Sequence, residues 1–192
     1  MRVVIVLHGS RDPDYIDSVR RFAESLGIGY AFVSYSRPSI SDVVGDVYMP
    51  LFVGYGKDYD RAVAATGFET PPLLRWPHVR DFLLSLGPGL YVLHGDDDPR
   101  FINDVSGLGI RDMAFLNIEP TLENYLTNHC PGRVIPIVLT QGVIYKEVVN
   151  TVKNSCPDTE VLKPLFELRE FMEYFRNSLP WLIQSTRRVR SS

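Results

Sequence analysis

The sequence predicts an α/β protein of two similar Rossmann-like lobes, each a four-stranded parallel sheet flanked by helices. Three observations lead there. Apolar runs rich in β-branched residues alternate with stretches whose apolar residues recur at helical spacing. That alternation runs through the chain twice, in the same order. Between the two passes, "LGPGL" (Leu86 to Leu90) supplies the Gly and Pro that end one unit before the next begins.

In the first lobe, Arg2–Leu7 is an unbroken apolar run after its first residue, as expected of a parallel strand buried on both faces. Pro13 then opens a helix in which Ile16, Val19, Phe22 and Leu26 recur at helical intervals, and Gly27 suits its C-terminus. A strand is expected at Tyr30–Tyr35, then a short helix near Ser39, capped by Ser39 or Ser41. Next come a strand at Asp46–Val53 and a helix from Lys57 to Thr66. A last strand near Leu73–Arg75 and a helix from Pro77 to Leu86 complete the lobe. The second lobe repeats the order, and right-handed crossovers place helices on both faces of each sheet.

The repeat is visible residue by residue. His8 placed on His94, an offset of 86, brings Gly9 onto Gly95, Asp12 onto Asp98, Pro13 onto Pro99, Ile16 onto Ile102 and Val19 onto Val105. "AFVSYSRPSI" (Ala31 to Ile40) matches "AFLNIEPTL" (Ala114 to Leu122) with one residue of slippage. "MPLFVGYGKDYDRAV" (Met49 to Val63) matches "IPIVLTQGVIYKEVV" (Ile135 to Val149), and "VRDFL" (Val79 to Leu83) matches "LREFM" (Leu168 to Met172). The domains read as 1–87 and 88–180, with 181–192 as a solvated basic tail.

Length and composition bound the function. A chain of 192 residues with 45% apolar and 22% charged residues buries a sizeable core. A formal charge of -3 argues against nucleic acid as a partner. The first apolar run stops at Leu7, too short for a membrane span or signal peptide. Cys130 and Cys156 show no C-x-x-C or metal-ligand spacing, so no disulfide framework is expected and a cytoplasmic setting follows. There is no G-x-S-x-G nucleophile elbow and no His after His129, which disfavours an α/β-hydrolase. Leu7 and Leu93 stand where a histidine phosphatase would need Arg.

Open parallel sheets bind ligands beyond the carboxyl ends of their strands. His8 and His94 follow the first strand of each lobe, so both are expected at that edge. The Gly after each permits a tight turn and a close approach. Arg37 and Glu119 follow the second strands; Gly54 to Asp58 and Thr140 to Ile144 follow the third. Two imidazole–carboxylate pairs result, His8 with Asp58 and His94 with Glu119. Such a pair suits borderline divalent metals, with His8 and Asp58 as ligands, and also proton removal near neutral pH. Ser10, Arg11, Arg37, Lys57 and Arg61 gather near the first-lobe edge and suit carboxylates. Tyr55 and Tyr59 suit either a flat pocket wall or core packing. His78 and His129 read as surface or structural residues.

"VIVLHGSRDP" resembles the opening of the sirohydrochlorin cobaltochelatase (CbiX-type) family of class II tetrapyrrole chelatases. "MPLFVGYGKDYDRAV" resembles the family's third-strand segment, and "RPSISDVV" and "EPTLENYL" its segment after the second strand. The resemblance covers most of the chain in two copies, and HGSRDP is its most specific piece. It implies a lyase of cobalamin or porphyrin biosynthesis, inserting Co2+, or alternatively Ni2+ or Fe2+, into sirohydrochlorin or a related tetrapyrrole held between the lobes. It implies no organic cofactor, and a monomer of two lobes or a homodimer. Carried over by position, His8 matches the family's first-strand histidine. The family's second histidine, after the third strand, is here Asp58 in one lobe and Ile144 in the other. The family's Glu after the second strand is Arg37 in one and Glu119 in the other. These departures leave open a non-catalytic tetrapyrrole- or metal-binding relative.

Overall fold

A computed structural model describes residues 1–189. The first lobe runs β1 (Val3–Leu7), α1 (Pro13–Leu26), β2 (Gly29–Phe32), β3 (Val47–Pro50), α2 (Lys57–Thr66), β4 (Phe68–Glu69) and α3 (Val79–Ser85). The second runs β5 (Leu90–Leu93), α4 (Pro99–Leu108), β6 (Met113–Phe115), α5 (Leu122–Asn128), β7 (Arg133–Pro136), α6 (Val143–Ser155), β8 (Glu160–Val161), α7 (Arg169–Ser185) and β9 (Arg187–Arg188). The two main sheets are parallel, ordered β2-β1-β3 and β6-β5-β7-β8. The strand that ends in Leu-His-Gly is therefore central or inner in both.

The repeated Asp-Pro after each His-Gly has a plain structural cause. Asp12 accepts from the Asp14 N–H at 3.0 Å and Asp98 from the Arg100 N–H at 2.8 Å. Each caps the helix that Pro13 or Pro99 begins, where the missing proline N–H costs nothing. Gly27 and Gly109 end those helices in left-handed conformation.

Four expectations are corrected. The first-lobe sheet has three strands, not four. Leu73–Arg75 forms a 3-10 turn, although the Leu73 and Leu74 N–H groups still donate to Phe52 and Val53 carbonyls at 2.9 and 3.0 Å. Pro71 and Pro72 before it lack N–H donors, so no strand ladder can extend there. Second, the supposed tail is structured through Arg188. α7 continues to Ser185, and Arg187–Arg188 pairs antiparallel with β4 of the first lobe; Arg190 to Ser192 lie outside the described residues. Third, Cys130 and Cys156 form a disulfide, with Cα atoms 5.5 Å apart. The loop before β7 and the end of α6 meet in space across 26 residues of sequence, which spacing alone does not reveal. The cysteines therefore no longer argue for a reducing compartment. Fourth, Arg37 and Glu119 serve their own turns, as described below. Among the described residues, no helix is long and apolar enough to cross a membrane.

One core joins the lobes. α7 folds back onto the first lobe, where Phe171, Phe175 and Leu182 are fully buried. Phe22 of α1 stacks on Phe166 at 3.8 Å and meets Phe175 edge-on at 5.1 Å. Tyr174 stacks on Phe82 at 4.4 Å and donates to the Pro77 carbonyl at 2.9 Å. Each buried ring contributes about 1.5–3 kcal/mol of apolar transfer. This packing holds the two sheets so that their carboxyl ends face one cleft.

Candidate functional site

The cleft has a volume of about 560 Å3, within the range of small-molecule sites. His8 to Ser10, Gly54 to Asp58 and Arg61 line it from the first lobe; His94 to Asp96, Ile137 to Thr140 and Gly142 to Tyr145 line it from the second. Strand ends explain the grouping: β1, β3, β5 and β7 all release their chains here.

The glycine after each histidine is required. Gly9 has φ +97, and a Cβ there would lie 1.8 Å from the Ser34 carbonyl oxygen; at Gly95 (φ +86) it would lie 2.9 Å from Ile118. The turns thus press against the next strand's loop and aim the histidines outward. The histidines then differ. His8 Nδ1 makes no hydrogen bond, and Asp58 Oδ1 lies 3.5 Å away, too long for a normal one. The ring meets Tyr35 edge-on at 5.6 Å and its side chain is 28% exposed. His94 Nε2 instead accepts from Asn117 Nδ2 at 2.8 Å, and the residue is exposed. His8 thus has a buried, unpaired Nδ1, while His94 has its Nε2 held by a neighbour.

Asp58 stands in the first turn of α2, where the helix dipole favours a carboxylate, and Arg61 donates to it at 3.3 Å. Lys57 is exposed beside it on the cleft. Ser10 lines the cleft but is held locally. Its N–H donates to Ser36 Oγ at 2.9 Å, and its Oγ accepts from the Asp12 N–H at 3.1 Å. Arg11 is exposed with its guanidinium 5.7 Å from the Tyr35 ring. Tyr55 reaches the cleft yet is 9% exposed, flanked by Arg75 at 5.3 Å and Arg100 at 4.6 Å. Tyr59 is core, its hydroxyl donating to the Thr70 carbonyl at 2.9 Å.

Arg37 and Glu119 are not brought to the cleft. Arg37 pairs with Asp42 at 2.6 Å, and the Ser39 N–H and hydroxyl also donate to that carboxylate. Ser39 first, and Arg37 after it, hold the Asp42 carboxyl down to about 2. Glu119 likewise accepts from Asn124 Nδ2 at 3.0 Å and from the Thr121 N–H at 3.0 Å. Both side chains tie the turn after the second strand to the helix that follows, and His94 has Asn117 rather than Glu119 as its neighbour.

Residues given no binding role from sequence complete the site. Val143 (65% exposed) and Ile144 (37% exposed) form an apolar wall at the start of α6. Tyr15 lies beneath, its hydroxyl accepting from the Gly9 N–H at 3.4 Å; burial raises its phenol to about 12, so it stays neutral. Among the described residues no group of three or more His, Cys, Asp or Glu is placed to hold a metal. At the cleft His8 and Asp58 form an imidazole–carboxylate pair, 3.5 Å apart.

No protein-family model matches the chain, and no curated protein sequence matches it. Solved structures do. SirB from Bacillus subtilis, determined with Fe3+, superposes with a TM-score of 0.66 at 15% identity, covering 94% of this chain and 95% of that one. CbiX, the terminal enzyme for biosynthesis of siroheme in denitrifying bacteria, superposes with a TM-score of 0.66 at 17% identity, covering 94% and 99%. At such identities the likeness establishes the fold, and this chain shares over nearly its whole length the α/β fold of SirB and CbiX.

Proposed function

We propose that the chain is a metal chelatase that inserts a divalent metal into sirohydrochlorin or a related tetrapyrrole. The observation that carries this is the His8 imidazole on an inter-lobe cleft, its buried Nδ1 unpaired 3.5 Å from Asp58, in a fold shared with two proteins of siroheme or iron context. Fe3+ in SirB and siroheme for CbiX favour iron over the cobalt read first from sequence, and Co2+ and Ni2+ remain candidates.

Metal insertion releases two pyrrole N–H protons and strips water from the metal. Both demands fit a sparse donor pair. The His8 imidazole offers one lone pair for the incoming metal or one departing proton. Asp58 supplies negative charge that favours either cation. Two protein ligands leave most coordination positions open, so the metal can pass on to the ring; a closed four-ligand site would retain it. Val143 and Ile144 present a flat apolar surface to a macrocycle face, while Lys57 and Arg61 present cations to its carboxylates.

The test mixes purified protein and metal-free sirohydrochlorin with Fe2+, Co2+ or Ni2+ in turn and follows absorbance. Faster metallation than without protein supports the reading; no acceleration with any metal refutes it. A second reading, a tetrapyrrole carrier, is favoured by Ile144 standing where a second histidine would serve. Tight binding without acceleration would select it. Asp58→His should change the order of preference among the three metals, and an unchanged order would remove Asp58 from the metal's path.

A further inference from the structure

The 86-residue repeat makes specific demands on the seam between the lobes, because equivalent positions face each other across it. Lys146 of α6 is the counterpart of Asp60 of α2, and Arg100 of α4 is the counterpart of Asp14 of α1. Across one half of the seam, Arg100 Nη2 donates to Asp60 at 2.8 Å. Across the other half, Lys146 Nζ donates to Asp14 at 2.7 Å and to Asp12 at 2.8 Å. The geometry is repeated and the signs are exchanged. The first lobe is acidic at both positions; the second is basic at both.

A third pair follows the same rule. Arg75 ends the 3-10 turn Leu73–Arg75, and Glu167 ends its counterpart Leu165–Glu167. Arg75 binds Asp104 at 3.0 Å, and that carboxylate is 5% exposed. Glu167 instead approaches Arg21 of α1 at 4.0 Å. Again the cation and the anion have changed lobes. The backbones are close enough for these charges to matter. A Cβ at Gly56 would lie 2.4 Å from Asp96, and one at its counterpart Gly142 would lie 2.9 Å from Tyr15.

We infer that this seam is a lobe-specific recognition surface: each lobe fits the complementary lobe of this chain and repels a copy of itself. Two first lobes meeting in the same geometry would set Asp60 against Asp14 and Asp12, and Arg75 against Arg21. Two second lobes would set Lys146 against Arg100, with Asp98, the counterpart of Asp12, the one carboxylate to offset it, and Glu167 against Asp104. Like charges so placed disfavour association, whereas the mixed pairing sets each against an opposite charge. The consequence for the cleft is direct. Homotypic pairing would give two identical edges, both with His8 or both with His94. Mixed pairing gives one His8–Asp58 edge facing one Val143–Ile144 edge.

The test uses the full chain and thermal unfolding at low and high salt. Arg100→Asp with Lys146→Asp makes the second lobe as acidic as the first. That variant should lose about 4–8 °C in Tm at low ionic strength, and less at high salt, where exposed charges are screened. Adding Asp60→Lys and Asp14→Lys inverts the whole seam and should recover more than half of the loss. The neutralising pair Asp60→Asn and Lys146→Gln leaves no repulsion, so it should lose less than the reversal. The inference is overturned if the fully inverted chain is no more stable than the like-signed one. It is equally overturned if neutralisation costs as much as reversal, or if the losses ignore salt.

Discussion

The most informative perturbation is His8→Ala set beside His94→Ala. Both residues stand in a Leu-His-Gly at the end of an inner strand, and only the HGSRDP resemblance favours His8 from sequence. The structure separates them. His8 Nδ1 has no hydrogen-bond partner and faces Asp58; His94 Nε2 is occupied by Asn117. A positioned base contributes roughly 10²–10⁴-fold, so His8→Ala should slow metallation by about 100-fold or more, or about 2.7 kcal/mol of barrier. His94→Ala should change the rate by less than about threefold, or ~0.65 kcal/mol. Stability must be measured in parallel. His8 forfeits only an edge contact with Tyr35 and no hydrogen bond, so its removal should cost at most ~1 kcal/mol, about 2–4 °C in Tm. The assay is initial-rate absorbance at saturating metal, with circular dichroism melts of the same preparations. Full rate in His8→Ala, or equal losses in both variants, would refute the assignment of the free imidazole to the reaction.

Other outcomes follow from packing and charge. Phe22→Ala removes a fully buried ring that stacks on Phe166, which should cost about 3–5 kcal/mol and lower Tm by roughly 6–20 °C; a loss under 2 °C would mean the lobes do not share this core. Reducing Cys130–Cys156 opens a loop of 26 residues, worth about 3.5 kcal/mol in the chain-entropy account. Once a thiol reagent confirms both sulfurs are free, Tm should fall by about 7–14 °C, and an unchanged melt would refute that contribution. Hydrogen bonds from Lys146 and Arg100 hold the Asp12 and Asp98 carboxyls below their usual 3.8. A depressed folded value stabilises above the unfolded one and is lost as pH falls through the folded one. Tm should therefore hold above about pH 5 and decline below pH 4. Lys146→Gln should shallow that decline, and an identical slope would contradict it.

Much of the fold was legible because its signals are local. Asp12-Pro13 and Gly27 bracket α1, and Asp98-Pro99 and Gly109 bracket α4, by caps that need no tertiary partner. Buried parallel strands announce themselves as apolar runs. The misreadings fall where the chain's distant parts decide. Leu73–Arg75 is apolar enough for a strand, but two prolines before it forbid the ladder. β9 forms only because α7 returns the chain to β4. Arg37 and Glu119 looked like cleft residues because they follow strands; each instead closes a turn with a partner five residues on, Asp42 and Asn124.

The sequence by itself determined two repeated α/β lobes, the helix starts, and a histidine delivered to the edge of each sheet, since all of these depend on local caps, periodicity and the glycine turn. Only the tertiary structure decided that His8 Nδ1 is left without a hydrogen bond, that Asn117 rather than Glu119 meets His94, and what faces His8 across the cleft. Those choices come from contacts between residues far apart in the chain: Asp58 against His8, Asn117 against His94, and the sign-exchanged ion pairs that seat one lobe against the other. Local sequence carries the geometry of each turn, but not the identity of the neighbour that arrives from elsewhere.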